Sequence, residues 1–146
     1  MAASHQAPVS FHCYKAWPQL IGLIRETKGG LSRFVLHSFH GPLDVIEEVT
    51  ELGGYFSLSP SFFRLSAEQR ASYYSRIPPH RLLLETDAPN QFLPASYGDT
   101  NGRDPRLIRS LFQLVGEDLD EDQVTLKRRI AENFHQAFEK GAAHAP

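Results

Sequence analysis

Short apolar runs alternate with amphipathic stretches along most of the chain, and this rhythm predicts strands and helices in turn. Residues 8–14, 33–39, 55–59 and 81–86 carry the aliphatic and aromatic side chains of strands. The last of these holds Leu82-Leu83-Leu84 between charged residues, a run that suits a strand buried on both faces. Between the strands the apolar period lengthens to that of a helix. Trp17, Leu20, Ile21 and Ile24 share one face before Lys28-Gly29-Gly30. Leu43, Ile46, Val49 and Leu52 form a second stripe, closed by Gly53-Gly54. Ser66 with Gln69 predicts a capping box for a third helix, running to about Ser75. After a long Pro- and Gly-rich loop over 88–103, Asp104-Pro105 opens a helix with Leu107, Ile108, Leu111, Phe112 and Val115 inward. Asp120 with Gln123 predicts a further cap, and Val124, Ile130, Phe134 and Phe138 are the expected buried face of the last helix.

The resulting order, βαβαβαβα with one extra helix, means a parallel α/β sheet with crossover connections. A small doubly wound sheet and a partial TIM-type (β/α) barrel of about four βα units both satisfy it. No glycine-rich phosphate loop follows any strand, which weighs against nucleotide binding.

Composition narrows the class further. At 146 residues the chain suits one domain, and a net charge of −2 gives no basic footprint for nucleic acid. A single cysteine, Cys13, excludes an internal disulfide and reads as a buried thiol in a reducing compartment. Neither a membrane span nor an apolar signal core is present in the sequence. The expectation is a soluble intracellular protein, cytoplasmic or nuclear, with a frayed leader at 1–7, a folded body at 8–140 and a tail at 141–146.

Chemistry concentrates at strand ends. His12, His37 and Asp87 each fall at or near the carboxyl end of an expected strand. In a parallel sheet those ends share one rim, where ligands bind. Alone, each is more often a packing or capping residue; one geometric assumption accounts for all three together. Two imidazoles and a carboxylate suit zinc or another divalent ion, which activates water for hydrolysis.

Pro8-Val9-Ser10-Phe11-His12-Cys13, Leu36-His37-Ser38-Phe39-His40-Gly41, Gly53-Gly54-Tyr55-Phe56-Ser57 and Leu82-Leu83-Leu84-Glu85-Thr86-Asp87-Ala88-Pro89 together resemble the TatD-related deoxyribonucleases, in order and spacing. The resemblance implies an amidohydrolase-type (β/α)8 barrel hydrolysing DNA phosphodiesters with divalent metal (magnesium, zinc or manganese). It implies His12 and His37 as ligands of one metal, and Asp87 as a catalytic ligand of the other metal that helps orient or deprotonate the attacking water. Glu85 and His40 are expected as supporting contacts, and Asn101 and Arg103 as substrate contacts. The family's amino-terminal His-x-His pair and bridging glutamate have no counterpart here. Ser38 and His40 stand where Cys and Ser are common, and Tyr14-Lys15 where Arg-Asp is usual.

A complete barrel needs ~250 residues, so residues 8–140 read as its carboxyl-terminal half. Such a half is expected to expose two strand edges and its apolar interior, and to hide them by homodimerisation or by a missing amino-terminal half. Weak or single-metal binding and little nuclease activity are expected of this chain alone. The competing readings are a non-catalytic barrel remnant serving as an interaction module, and a metal-dependent hydrolase of another ester or amide.

Overall fold

The structure, a computed structural model, describes residues 7–27, 31, 33–97 and 104–139. Four strands, β1 (Val9–Phe11), β2 (Phe34–Leu36), β3 (Gly54–Leu58) and β4 (Leu82–Leu84), form one parallel sheet in the order β1-β2-β3-β4. Strand order that follows chain order without reversal distinguishes a barrel segment from a doubly wound sheet, whose order turns back at a switch point. β1, β2 and β4 are shorter than the sequence suggested, and β3 keeps its five residues one position earlier. Each stops where its apolar run meets the polar residues of the rim.

The helices are α1 (Trp17–Glu26), α2 (Val45–Glu51), α3 (Ala67–Tyr74), α4 (Ile108–Leu119) and α5 (Gln123–Phe138). Strand alternation splits the sheet into two faces. Phe34, Leu36, Phe56, Leu58 and Leu82 point to the helical side and pack with Ile21, Ile24, Ile46, Val49, Leu111, Val115, Leu126 and Ile130. This is the main core. Phe39 anchors its upper end, edge-on to Trp17 and Phe56 at ring-centroid distances of 5.3 and 4.9 Å. Gly41 is required beside it, because a Cβ there would stand 2.5 Å from the Phe39 ring.

The expected capping box at α3 forms: Ser66 Oγ accepts from the Gln69 amide, and Gln69 Oε1 accepts from the Ser66 amide. The second expected box does not. Asp120 takes a left-handed conformation (φ 50°) that ends α4, and Asp122 caps α5 by accepting from the Val124 and Thr125 amides. The buried stripe of α5 is also shifted. Leu126, Ile130, Asn133 and Ala137 face inward, whereas Val124 is 78% and Phe134 52% exposed. An apolar-only reading misses this stripe because two of its members are a polar clasp and a small residue. Asn133 Nδ2 donates to the carbonyls of Pro79 and Leu82, both at 2.8 Å, tying α5 to the entrance of β4. Arg129 pairs with Glu121 and donates to the Pro79 carbonyl.

The opposite face of the sheet carries Val35, Tyr55 and Leu83, which belong to a barrel interior. These are not exposed. Ala137 and Phe138 at the end of α5 pack against them, and all three are at most 4% accessible. Arg33 donates to the Gln136 carbonyl, fixing that last turn under β2. Thus the apolar interior expected to lie open is covered by the chain's own last helix, while β1 and β4 remain the outer strands. Cys13 is partly rather than fully buried. Among the described residues, no helix is long and apolar enough to cross a membrane.

Asn133→Ala should lower the unfolding free energy by about 1–3 kcal/mol, the cost of stranding buried acceptors. Urea denaturation measures it, and an unchanged midpoint would remove Asn133 as the clasp of β4.

Candidate metal centre on the carboxyl rim

Parallel register builds the site. Phe11 pairs with Leu36, and the His37 amide donates to the Phe11 carbonyl, so His12 and His37 leave adjacent strands at equivalent positions. Their rings lie 5.5 Å apart, centroid to centroid. β4 brings the acids: Glu85 follows its last residue and its amide donates to the Leu58 carbonyl. Asp87 then turns back at φ 47° and points over the sheet end. His37 Nε2 stands 3.5 Å from Asp87 Oδ1. The three sequence-predicted residues therefore do meet on one rim. His12 is exposed, while His37 and Asp87 are about one-quarter exposed.

Glu85 organises this group. Its Oε2 lies 2.7 Å from His37 Nδ1, and its Oε1 accepts from the Ser38 amide at 2.5 Å. A carboxylate only accepts, so His37 carries a proton on Nδ1, and in the neutral ring the Nε2 lone pair faces Asp87. Ser38 occupies the left-handed region (φ 49°), a conformation costly for a side-chain-bearing residue, and the bond to Glu85 holds it there.

A lone pair aimed at a carboxylate oxygen is unfavourable unless a positive charge lies between them or on the ring. A proton on the ring or a divalent cation at Nε2 would each supply that charge. The donor chemistry, two imidazoles and one carboxylate, also suits such an ion. Yet among the described residues, no three His, Cys, Asp or Glu side chains are closed around a single point. The donors are gathered at the rim without being drawn together.

Beside the acids runs a hydroxyl and amide belt that the sequence reading missed. Gln91 Nε2 donates to Asp87 Oδ2 at 2.8 Å and to Ser38 Oγ at 2.9 Å. Its Oε1 accepts from Ser59 Oγ at 2.7 Å and from the Ser61 amide at 3.1 Å. Ser59 Oγ also lies 2.7 Å from Ser38 Oγ and 2.9 Å from Ser61 Oγ. The available signal was position: Ser59 continues the inward alternation of Tyr55 and Ser57. Gln91 gave none, since its contact depends on the path of an irregular loop.

His40 is exposed and lies to one side. Its Nδ1 donates to the Ser38 carbonyl at 3.0 Å, leaving Nε2 toward Ser61 Oγ at 3.4 Å. Of the remaining expected contacts, Asn101 and Arg103 lie outside the described residues. His80 sits at the opposite end of β4, in the turn Pro79–Arg81.

Glu85→Ala should abolish the hydrogen-bonded His37 Nδ1–H resonance in proton NMR, and Asp87→Ala should leave it. Its survival in Glu85→Ala would mean that another group fixes the tautomer.

Comparison with known proteins bears on the family and the fold. The family model described as TatD related DNase matches residues 1–139. A 3'-5' ssDNA/RNA exonuclease TatD of Musicola paradisiaca is 30% identical over 149 residues, covering 97% of this chain and 54% of that protein. The protein of the same name from Edwardsiella piscicida is 36% identical over 93 residues, covering 61% of this chain and 35% of its own length. Among solved structures, the Escherichia coli TatD homolog YjjV superposes with a TM-score of 0.79 at 25% identity, covering 96% of this chain and 53% of YjjV. A TatD family hydrolase of Entamoeba histolytica shares the fold, with a TM-score of 0.79 at 17% identity. The chain spans about half the length of these relatives, or less. With its strand-end histidines, its acidic β4 terminus and a match over nearly its whole length, the chain belongs to the TatD related DNase family.

Proposed function

We propose that this chain carries one divalent-metal half of a phosphodiester-hydrolysing site, with His12, His37 and Asp87 as the metal-holding residues. The observation that carries the reading is the His37 pair of contacts: Nδ1 bound to Glu85 at 2.7 Å while Nε2 faces Asp87 Oδ1 at 3.5 Å. A divalent ion bound there would supply Lewis-acid activation of water and of a phosphoryl oxygen. The chain's own residues do the rest. Glu85 fixes the His37 ring and keeps Nε2 available. Asp87, whose Oδ2 is already held by Gln91, offers Oδ1 on the side of His37 Nε2, where it would hold the ion and orient the attacking water. The rim is partly open, which suits an extended single-stranded nucleic acid, DNA above all, better than a small enclosed ester.

A second reading, a non-catalytic interaction module, draws support from one observation. β1 and β4 are the outer strands of the sheet, and an outer strand edge can pair with a strand of another chain. The two readings separate on metal and substrate. Titration calorimetry with Mn²⁺ should give one site per chain, weakened at least roughly tenfold in His37→Ala and Asp87→Ala. Slow Mn²⁺-dependent cleavage of a fluorescent single-stranded DNA, abolished in Asp87→Ala, would support hydrolysis. Metal binding without cleavage would favour the interaction module. Absence of any Mn²⁺ binding would overturn the metal-site reading.

A further inference from the structure

Two exposed aromatic rings stand on the carboxyl rim, and the contacts between His37 and the acids use neither. Tyr14, in the loop from β1 to α1, is 75% exposed, and Phe92, in the loop after β4, is 46% exposed. Both loops leave the carboxyl ends of parallel strands, so the two rings share the face that carries His12, His37 and Asp87. One exposed ring on a protein surface is ordinary. These two differ in how they are held and in what accompanies them.

Phe92 is fastened on both sides. Gln91 before it donates to Asp87 Oδ2 and Ser38 Oγ and accepts from Ser59 Oγ and the Ser61 amide, and Leu93 after it is buried in the main core. The chain between these anchors has little freedom, yet it holds a large apolar ring out in water. Tyr14 has a cation beside it. Lys15 Nζ lies 5.1 Å from the ring centroid, and the ring's exposure leaves its other face open. Lys15 itself takes a left-handed conformation (φ 57°), so the chain turns directly after Tyr14. Neighbouring strands stand ~5 Å apart, so the loops after β1 and β4 frame a gap on the order of 15 Å. His37, at the end of β2, lies within it.

We infer that Tyr14 and Phe92 are stacking platforms for the bases of a single-stranded nucleic acid on either side of His37, with Lys15 at a phosphate beside Tyr14. The inference rests on the reading that the rim takes single-stranded nucleic acid, and it adds the side chains that hold the strand. Every base has a flat π-face, so such a ring accepts any of them. A chain of net charge −2 draws little affinity from phosphates alone, and stacking supplies what charge does not. Stacking also selects unpaired strands, because a duplex keeps its base faces within its own stack.

The test measures binding to the 146-residue protein by fluorescence anisotropy, with labelled oligo(dT) and with an abasic strand of the same length and charge. EDTA keeps metal out of the comparison. Wild type should bind oligo(dT) the more tightly. Tyr14→Leu and Phe92→Leu keep apolar bulk and remove the π-face. Each should weaken oligo(dT) binding roughly fivefold or more and leave the abasic strand unchanged. Lys15→Gln should weaken both strands alike and flatten the salt dependence. An unchanged urea midpoint checks the fold of each variant. Equal wild-type affinity for the two strands, unaltered oligo(dT) binding in the Leu variants, or a parallel fall for both strands in them, overturns the stacking role alone. Wild type binding neither strand overturns the single-strand reading and this inference with it.

Discussion

The hydrogen bond from the His37 amide to the Phe11 carbonyl, together with the pairing of Phe11 with Leu36, continues the parallel ladder one step past the ends of β1 and β2. That continuation is the constraint on which the site depends. Parallel register without slippage places His12 and His37 at the same height on neighbouring strands, and the same ladder running through β3 to β4 fixes where Glu85 emerges. A slip of one residue would turn every inward side chain outward. The buried helical-side residues Phe34, Leu36, Phe56 and Leu82 oppose such a slip, since it would carry them out of the main core. Core packing thus secures the register, and the register secures the imidazoles.

The inner face illustrates a different economy. In a closed barrel, side chains such as Val35, Tyr55 and Leu83 would fill the interior with counterparts from strands across the axis. Here Ala137 and Phe138 take that place, and the turn that delivers them is held by Asn133 and by the bond from Arg33 to Gln136. Burying Leu83 and its neighbours this way recovers apolar transfer energy at roughly 25 cal/mol per Å² without a second chain. The strand edges are a separate matter. β1 and β4 end the sheet, and an unpaired strand edge invites pairing with another strand.

Around the rim, charge is organised from behind rather than by the donors themselves. Glu85 sets the tautomer of His37 and steadies Ser38 in a left-handed turn, and Gln91 braces the far oxygen of Asp87. Among the described residues, two of the four non-glycine residues at positive φ, Ser38 and Asp87, adjoin these contacts. Backbone strain of this kind persists where surrounding bonds over-determine it, and such places are characteristic of functional sites.

The sequence by itself determined the α/β alternation, the four strand positions, the α3 capping box and the three rim residues His12, His37 and Asp87, because these follow from local periodicity and from residues at strand ends. It also carried the family, through the run from Leu82 to Pro89. What it could not determine was which face of α5 turns inward. Asn133 and Ala137 are buried because Pro79 and Leu82 offer carbonyls and the sheet offers an uncovered floor, and neither fact is local to the helix. Gln91 escaped for the same reason. Its partners Ser38, Ser59 and Ser61 lie between 30 and 53 residues away, and hydrogen bonds over such distances are decided only when the chain has closed upon itself.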